Sequence, residues 1–306
     1  MKKPKISIVI ALAPWRDAEI LSSIKKQKYP KSKFEVIIRK GLNVPNNRNS
    51  GAAKAKGEII AFLDDDAIIE PNFLNKVEEL FDKHPEVMVA GGPQLTPLTD
   101  KFFARMNGYA LSSYFATMGI SKRYKKGEFT LNADSSHLTG ALLICRKKLM
   151  KSIKFDENIY PADDVNFVSR AKSAGHTIAY SPDVFVYHRR RADLRGLIKQ
   201  IFDYAKVRPQ AQGLKQGLST VFFFVPTLFM LYLLLLPTLS MLSKLFLIPL
   251  WVYIVLSLLV SSYEAGHHRS PLAIIVLPFM FLIIHIAYGA GFLTGLIDRL
   301  FKDKNK

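Results

Sequence analysis

Three consecutive aspartates, Asp64, Asp65 and Asp66, follow the apolar run Ile59–Leu63. Their carboxylates repel one another, and a divalent cation relieves that repulsion. Hard oxygen ligands favour Mg²⁺ or Mn²⁺, with coordination positions left for water and phosphate. A solvated acidic turn ahead of Pro71 is the alternative. The cation site is favoured if the apolar run is a buried strand, because open α/β sheets bind ligands at the carboxyl ends of their strands.

A second acidic pair, Asp163 and Asp164, begins a pattern typical of a helix that runs to Ala174. One carboxylate can cap that helix, or it can act as a general base near an acceptor hydroxyl. His188 ends the apolar run Val184–Tyr187 and precedes three arginines. A neutral imidazole there can complete a divalent site, and arginines can hold a diphosphate. A purely structural histidine is the alternative.

An α/β domain must position these side chains. Apolar runs begin near residues 6, 34 and 59, with helical patterns between them, and Asp17 is predicted to cap a helix that reaches Lys28. This alternation predicts consecutive βαβ units in a parallel sheet. Residues 1–15 imitate a signal peptide, but their β-branched residues fit the first strand of a cytosolic domain.

Composition narrows the function classes. The chain has 306 residues, a formal charge of +18 and 49% hydrophobic residues, which excludes a disordered tail protein. A single cysteine, Cys145, excludes a disulfide scaffold and a cysteine-based zinc site. The sequence lacks the glycine-rich motifs of dinucleotide oxidoreductases and P-loop enzymes. It also lacks a nucleic-acid-binding motif, so we expect the positive charge to face anionic lipid rather than nucleic acid.

The C-terminal third predicts a membrane anchor. Only Lys244, Glu264 and Arg269 are charged between residues 216 and 297. About 20 helical residues cross a bilayer, so residues 216–298 predict spans at about 220–242, 245–262 and 272–297. Residues 191–215 predict a linker with an amphipathic helix in the headgroup region, or packed on the soluble domain instead. We expect a multi-pass protein of the cell membrane with a cytoplasmic domain at 1–190. The basic tail, residues 299–306, conflicts with three crossings because it favours the inside.

Several of these motifs together resemble glycosyltransferase family 2. The segments that carry the resemblance are Arg48-Asn49-Ser50-Gly51, Ala55 to Asp66, Phe155-Asp156-Glu157, Asp163-Asp164 to Arg170, and Tyr187-His188. They occur in the family's order and approximate spacing and cover about residues 5–190. Residues 285–292 also resemble the C-terminal membrane segment of some bacterial exopolysaccharide glycosyltransferases. The resemblance implies a GT-A fold (α/β, Rossmann-like, with a mostly parallel sheet), a nucleotide-diphospho-sugar donor, a divalent cation and inversion at the anomeric carbon.

The resemblance also implies individual roles. Asp64 and Asp66 correspond to the Asp-x-Asp element that meets the ribose and the metal, and His188 corresponds to a further metal ligand. Asp164 corresponds to the base that deprotonates the acceptor, with Asp163 as its neighbour. The residues predicted to contact the donor nucleotide are Trp15, Asp17, Arg48, Asn49, Asp64, Asp65 and, on charge, Arg191.

One departure from the family concerns the nucleotide base. The family often has an acidic pair followed by Gly-Ser at the end of the second strand, where this chain has Arg39-Lys40-Gly41. Cationic side chains cannot accept a hydrogen bond from a uracil N–H. Base recognition is therefore altered, or it rests on backbone groups and Trp15. A UDP-sugar is expected only because it is frequent in the family.

The acceptor is predicted from location. A cytosolic donor and a domain held at the bilayer favour a polyprenyl-linked or other membrane glycan as the acceptor. The Gln-x-x-Arg-Trp element of processive relatives is absent from the sequence, which favours addition of single sugars. Transfer directly onto polyprenyl phosphate is a second hypothesis. A catalytically silent membrane scaffold that keeps the fold is a third, from a different functional class.

Overall fold

The computed structural model describes residues 4–212 and 222–303. The chain divides into two compact units, and each is continuous in space but not in sequence. The first, the catalytic unit, contains Met1–Leu98 and Lys122–Arg189, and the second, the helical unit, contains Thr99–Ser121 and Arg190–Lys306. The segment Thr99–Ser121 therefore belongs with the C-terminal helices, although the sequence pattern gives no sign of this.

Among its described residues, the catalytic unit has nine strands and four α-helices. The strands are β1 (Ile6–Leu12), β2 (Phe34–Lys40), β3 (Ile59–Asp64), β4 (Ala67–Ile69), β5 (Val87–Gly91), β6 (Gln94–Leu95), β7 (Leu142–Arg146), β8 (Thr177–Tyr180) and β9 (Val186–His188). Its helices are α1 (Leu21–Ile24), α2 (Val44–Lys54), α3 (Phe73–Lys83) and α6 (Asp163–Ser173). The helices of the helical unit are α4 (Phe102–Ser112), α5 (Tyr114–Thr117), α7 (Leu194–Gln212), α8 (Val225–Leu242), α9 (Ile248–His267) and α10 (Ala273–Asp303).

The main sheet has six strands in the order β2-β1-β3-β7-β5-β8. β1 is parallel to β2 and β3, and β8 is parallel to β5, while β7 runs antiparallel between β3 and β5. The prediction of an α/β domain with a mostly parallel sheet is confirmed. Successive residues of β3 alternate between two apolar clusters, with Leu63 in one and Phe62 in the other. Both faces of the sheet are therefore covered, which explains the uninterrupted apolar runs.

A second, three-stranded sheet has the order β4-β9-β6. β4 follows directly after the aspartate triplet and pairs antiparallel with β9, so that Ala67 lies opposite His188. This pairing places residue 188 beside the end of β3 although more than a hundred positions separate them in the sequence. The small sheet therefore supplies the link between the triplet and the histidine that the sequence pattern lacks.

The helix expected from Asp17 to Lys28 is wrong in its start and its length. The helix is only α1, its N-cap is Ile20, and no side chain caps it. Beyond α1 the chain bonds to other segments, since Lys28 N donates to Pro71 O at 2.8 Å and Gln27 Nε2 donates to Glu70 O at 2.7 Å. These tertiary hydrogen bonds replace the bonds that would continue the helix.

Three helices of the helical unit are long and apolar enough to cross a membrane: Phe222–Leu242, Lys244–His267 and Ala273–Phe301. They occupy the segments predicted as spans. Residues 213–221 and 304–306 lie outside the described residues. The end of the predicted linker, the start of the first predicted span and the end of the basic tail therefore lie there too.

Helix α7, predicted to be amphipathic, packs against α10. A Cβ on Gly291 would overlap the carbonyl oxygen of Phe202, and a Cβ on Gly295 would overlap that of Lys206. Leu197 is fully buried, whereas Ile198 is 40% exposed. The apolar face of α7 is therefore divided between helix packing and an exposed strip.

Candidate active site

Asp64, Asp66 and His188 come together at the carboxyl end of β3. The His188 Nε2 atom lies 3.1 Å from Asp66 Oδ1 and 3.6 Å from Asp64 Oδ2. One ligand atom from each residue can be chosen so that all lie within 4.8 Å of one another. Two carboxylate oxygens and an imidazole nitrogen form a donor set that Mg²⁺ or Mn²⁺ can accept. The structure thus assembles the three residues that the sequence predicted as metal ligands.

Charge is tightly balanced in this cluster. Burial lowers the pKa of His188, but hydrogen bonds to Asp64 and Asp66 and their negative charges raise it to about 9. Burial raises the pKa of Asp66, but His188 and Arg16 outweigh it and hold that pKa well below its usual range. The imidazole is thus protonated at neutral pH when no cation is bound. A divalent cation would replace that proton as the charge between the carboxylates.

Arg48 connects this cluster to the second acidic pair. It lies on α2, whose first turn is capped by the Asn43 side chain, and it is only 6% exposed. Its Nη2 donates to Asp64 Oδ1 and to Gly140 O, each at 3.1 Å, and its Nη1 forms an ion pair with Asp163. A buried arginine with these partners orients both acidic groups. The nucleotide contact predicted for Arg48 from the sequence stays a prediction.

Asp163 and Asp164 occupy the first turn of α6, where the helix dipole favours negative charge. Neither caps the helix, because the N-cap residue is Ala162 and no side chain caps the end. The Oδ2 atom of Asp164 accepts a hydrogen bond from Gly140 N at 2.8 Å. Its Oδ1 atom is buried and has no hydrogen-bond partner among the described residues. A buried oxygen without a partner is costly, and such an oxygen in a native structure calls for a functional explanation.

Burial also affects Asp163. It raises the pKa of the Asp163 carboxyl to about 6, in spite of the opposing charge of Arg48. Asp163 is therefore ionised at neutral pH and forms a charged pair with the arginine. Asp163 lies directly before the candidate base Asp164 in the sequence. Its ion pair with Arg48 therefore holds the start of α6 against α2.

The loop after β1 holds Trp15, Arg16 and Asp17. Trp15 is 77% exposed, Asp17 is also exposed, and both remain available to a ligand. Arg16 forms ion pairs with Asp65 at 3.0 Å and with Asp66 at 2.7 Å. Sequence reasoning missed Arg16, because about 50 residues separate it from its partners and no spacing connects them.

Two other predicted nucleotide contacts have different surroundings. The Asn49 amide donates to Phe155 O and Glu157 Oε1 and accepts from Phe155 N, all within 3.0 Å. Asn49 thus ties α2 to the segment before α6. Arg191 belongs to the helical unit, where its carbonyl accepts a hydrogen bond from Asn107 Nδ2 at 3.3 Å.

The end of β2, where Arg39-Lys40 replaces the family's usual acidic pair, lies in one row with Asp64 across the sheet. Ala11 of β1 pairs with both Arg39 and Asp64, so the three residues form one row across the sheet. Residues in such a row share a face, and Arg39 is two strand spacings, about 10 Å, from Asp64. The Nε atom of Arg39 donates to Ser50 Oγ at 3.1 Å. The positively charged side chain of Arg39 thus lies at the position where the family often has a carboxylate.

Comparison with known proteins identifies the family. A family model described as "Glycosyltransferase like family 2" matches residues 4–202. The chain belongs to this family. The acidic cluster and the order of the strands agree with this assignment.

Individual relatives are distant. The chain is 26% identical to the pre-mycofactocin glycosyltransferase of Mycobacterium tuberculosis over 152 residues, which are 49% of this chain and 31% of that protein. It is 24% identical to the amylovoran biosynthesis glycosyltransferase AmsE of Erwinia amylovora over 200 residues, 64% of this chain and 68% of AmsE. The match therefore spans about a third of the first relative and two thirds of the second.

A solved structure supports the fold. The mannosyltransferase PcManGT from Pyrobaculum calidifontis, in complex with GDP-Man and Mn²⁺, superposes with a TM-score of 0.57 at 16% sequence identity. The superposition covers 97% of this chain and 88% of PcManGT. At this identity the likeness concerns the fold, and the predicted GT-A architecture is confirmed.

Proposed function

We propose that this glycosyltransferase moves single sugars, with inversion, from a nucleotide-diphospho-sugar to a lipid-linked or membrane-associated glycan, in a reaction that needs Mg²⁺ or Mn²⁺. One observation carries the proposal: buried Arg48 contacts both Asp64 of the metal-type cluster and Asp163 beside the candidate base. Groups suited to a diphosphate and a group suited to an acceptor hydroxyl are thereby held in one site.

Each acidic group has a distinct part in this reaction. Asp64, Asp66 and His188 would hold the cation, which supplies positive charge against the departing nucleotide diphosphate. Asp164 takes the proton of the acceptor hydroxyl on Oδ1, since Gly140 N–H already occupies Oδ2. The new glycosidic bond forms as the sugar–phosphate bond breaks, on the opposite face of the sugar, and this single displacement inverts the anomeric carbon.

The helical unit supports a membrane acceptor. Its three apolar helices are long enough to span a bilayer, and we place the catalytic unit on the cytoplasmic side, where nucleotide sugars are available. The relative AmsE is named for biosynthesis of the polysaccharide amylovoran, which agrees with a glycan acceptor. Membrane lipids are the expected surroundings of α8, α9 and α10. The silent-scaffold hypothesis is not retained, because the carboxylates and the histidine that chemistry requires stand together.

The nucleotide base of the sugar donor is the part of the proposal that a donor panel decides. A UDP-sugar is the family's frequent donor, but Arg39 at the end of β2 cannot accept from a uracil N–H. PcManGT was solved with GDP-Man, so the fold accommodates a purine nucleotide in at least one protein. A panel of donors that differ in the base tests this directly.

The test uses the full chain in detergent or nanodiscs with UDP-, GDP-, CDP- and ADP-sugars, Mn²⁺ or Mg²⁺, and bacterial lipid extract or polyprenyl phosphate as acceptor. We expect one donor to be consumed, EDTA to stop transfer, and NMR to show an inverted anomeric carbon. Transfer to polyprenyl phosphate alone would establish the second acceptor hypothesis. EDTA-insensitive transfer would refute the metal requirement, and no transfer from any donor would refute the proposed reaction.

A further inference from the structure

The two carboxylates of the metal-type cluster share one arrangement. Asp64 points Oδ2 towards His188, while Arg48 binds its Oδ1 at 3.1 Å. Asp66 points Oδ1 towards His188, while Arg16 binds its Oδ2 at 2.7 Å. Each aspartate thus has one inner oxygen that faces the imidazole and one outer oxygen held by an arginine.

In this arrangement the inner oxygens can bind a cation, while the arginines on the outer oxygens orient the carboxylates. The inner oxygens of Asp64 and Asp66, together with His188 Nε2, are the atoms that converge. Arg16 takes the outer oxygen of Asp66 and so does not occupy the space between the converging atoms. The guanidinium is planar, and its Nε is held by Asp65 while its Nη2 holds Asp66, so Asp65 fixes the direction from which Arg16 meets the outer oxygen of Asp66. Groups that orient metal ligands in this way strongly affect metal affinity.

Asp65 completes the arrangement from the other side. It is 4% exposed, and its Oδ2 lies 3.0 Å from Arg16 Nε. Its backbone carbonyl accepts a hydrogen bond from Ile20 N at 3.0 Å, which ties the triplet to the loop that carries Arg16. The Asp65 side chain is therefore engaged with Arg16.

We propose that Arg16 is a positioning residue that turns Asp66 towards the cation, with Asp65 as its anchor. This inference rests on the proposed function, because it concerns the cation of that reaction. Arg16 sits on a loop and its side chain is 44% exposed, so its replacement leaves the buried core intact.

The sign of the effect distinguishes positioning from simple electrostatics. Removal of a positive charge beside a cation site reduces repulsion and, by itself, strengthens cation binding. Loss of an orienting contact weakens binding, typically by about 10- to 100-fold. The two explanations therefore predict opposite shifts in the dissociation constant for the same substitution.

The experiment measures Mn²⁺ binding to the purified full chain, without any donor, by electron paramagnetic resonance of the free ion. We expect Arg16→Met to weaken binding by about 10- to 100-fold. Arg16→Lys keeps the charge but replaces the rigid planar guanidinium with a single flexible ammonium nitrogen, so it should also weaken binding. The exposed Lys26→Met variant, with the same loss of charge, should bind as the unmodified chain does. Circular dichroism confirms that each variant is folded.

Two outcomes would overturn the inference in different ways. If the unmodified chain binds Mn²⁺, Asp66→Asn abolishes binding and Arg16→Met binds equally well or more tightly, then Arg16 does not position Asp66. If the unmodified chain fails to bind Mn²⁺, or Asp66→Asn binds normally, the cation site of the proposed function fails, and the inference fails with it.

Discussion

Replacement of Arg48 by a residue of similar length and no charge tests how the acidic groups are held together. In Arg48→Met, Asp163 loses its guanidinium contact, although its side chain is only 3% exposed. Asp64 loses its partner at 3.1 Å as well. Asp163 then remains buried without the guanidinium that lies against it, next to the buried carboxylate of Asp164.

The magnitude follows from the burial. Removing one partner of a buried ion pair costs about 3–5 kcal/mol of unfolding free energy, because the remaining charge is left uncompensated. At about 1.4 kcal/mol per factor of ten, this corresponds to a roughly 140- to 3,700-fold larger opening equilibrium. The double variant Arg48→Met/Asp163→Asn removes both charges and should recover most of the loss, since neutral replacement of a whole pair is often nearly neutral.

Native-state hydrogen exchange of β3, read by mass spectrometry on the detergent-solubilised full chain, measures this opening. β3 lies at the centre of the sheet, next to β1 and β7, and Ile59 to Phe62 are fully buried. We expect fast exchange in the single variant and near-normal exchange in the double variant. Exchange within twofold of normal in Arg48→Met, or equally fast exchange in both variants, would refute the reasoning.

Three further predictions concern other parts of the chain. Gly295→Ala should expose α7 amides to exchange at least tenfold faster, because its Cβ overlaps the Lys206 carbonyl, while the matched control Gly266→Ala, whose Cβ meets open space, should not. Burial raises the pKa of the Cys145 thiol to about 12, against 9 in an unfolded chain. Iodoacetamide should therefore label Cys145 at pH 8 only after unfolding. Stability should fall as pH rises above 9, because the thiol then ionises in the unfolded chain but not in the folded one. Arg39→Glu should shift competition between UDP and CDP about tenfold towards UDP, measured by displacement titration. A carboxylate accepts from the uracil ring N–H, whereas the corresponding ring nitrogen of cytosine is itself an acceptor. An unchanged ratio would exclude Arg39 from base selection.

The parts of the fold that follow from local pattern could be predicted. Runs of β-branched and apolar residues marked β1, β2 and β3, and the membrane helices stood out because they are nearly free of charge. The acidic triplet marked the end of β3, since unpaired carboxylates seldom follow a buried strand without a function. The chemistry of the triplet could be predicted because its three aspartates are adjacent in the sequence.

The rest depends on contacts between distant segments. The ion pair of Arg48 with Asp163 joins residues 115 positions apart, and the loop of Arg16 meets the triplet only after β1 and β3 have paired. Tertiary hydrogen bonds from Gln27 and Lys28 shortened α1 in a way that helix propensity does not reveal. Nor does any pattern show that residues 99–121 join the helical unit. Strand register and burial determine these features, and both depend on segments that are far apart in the sequence.

The most direct test of the central claim is the activity of Asp164→Asn. Asparagine keeps the shape of the side chain but cannot take the acceptor proton, so sugar transfer should fall by at least 100-fold. Donor binding, measured by titration with the nucleotide diphosphate and Mn²⁺, should stay within about threefold, because Asp164 contacts Gly140 and lies near Arg123 rather than the metal-type cluster. Transfer at the unmodified rate by Asp164→Asn would contradict the assignment of the base and the proposed reaction built on it.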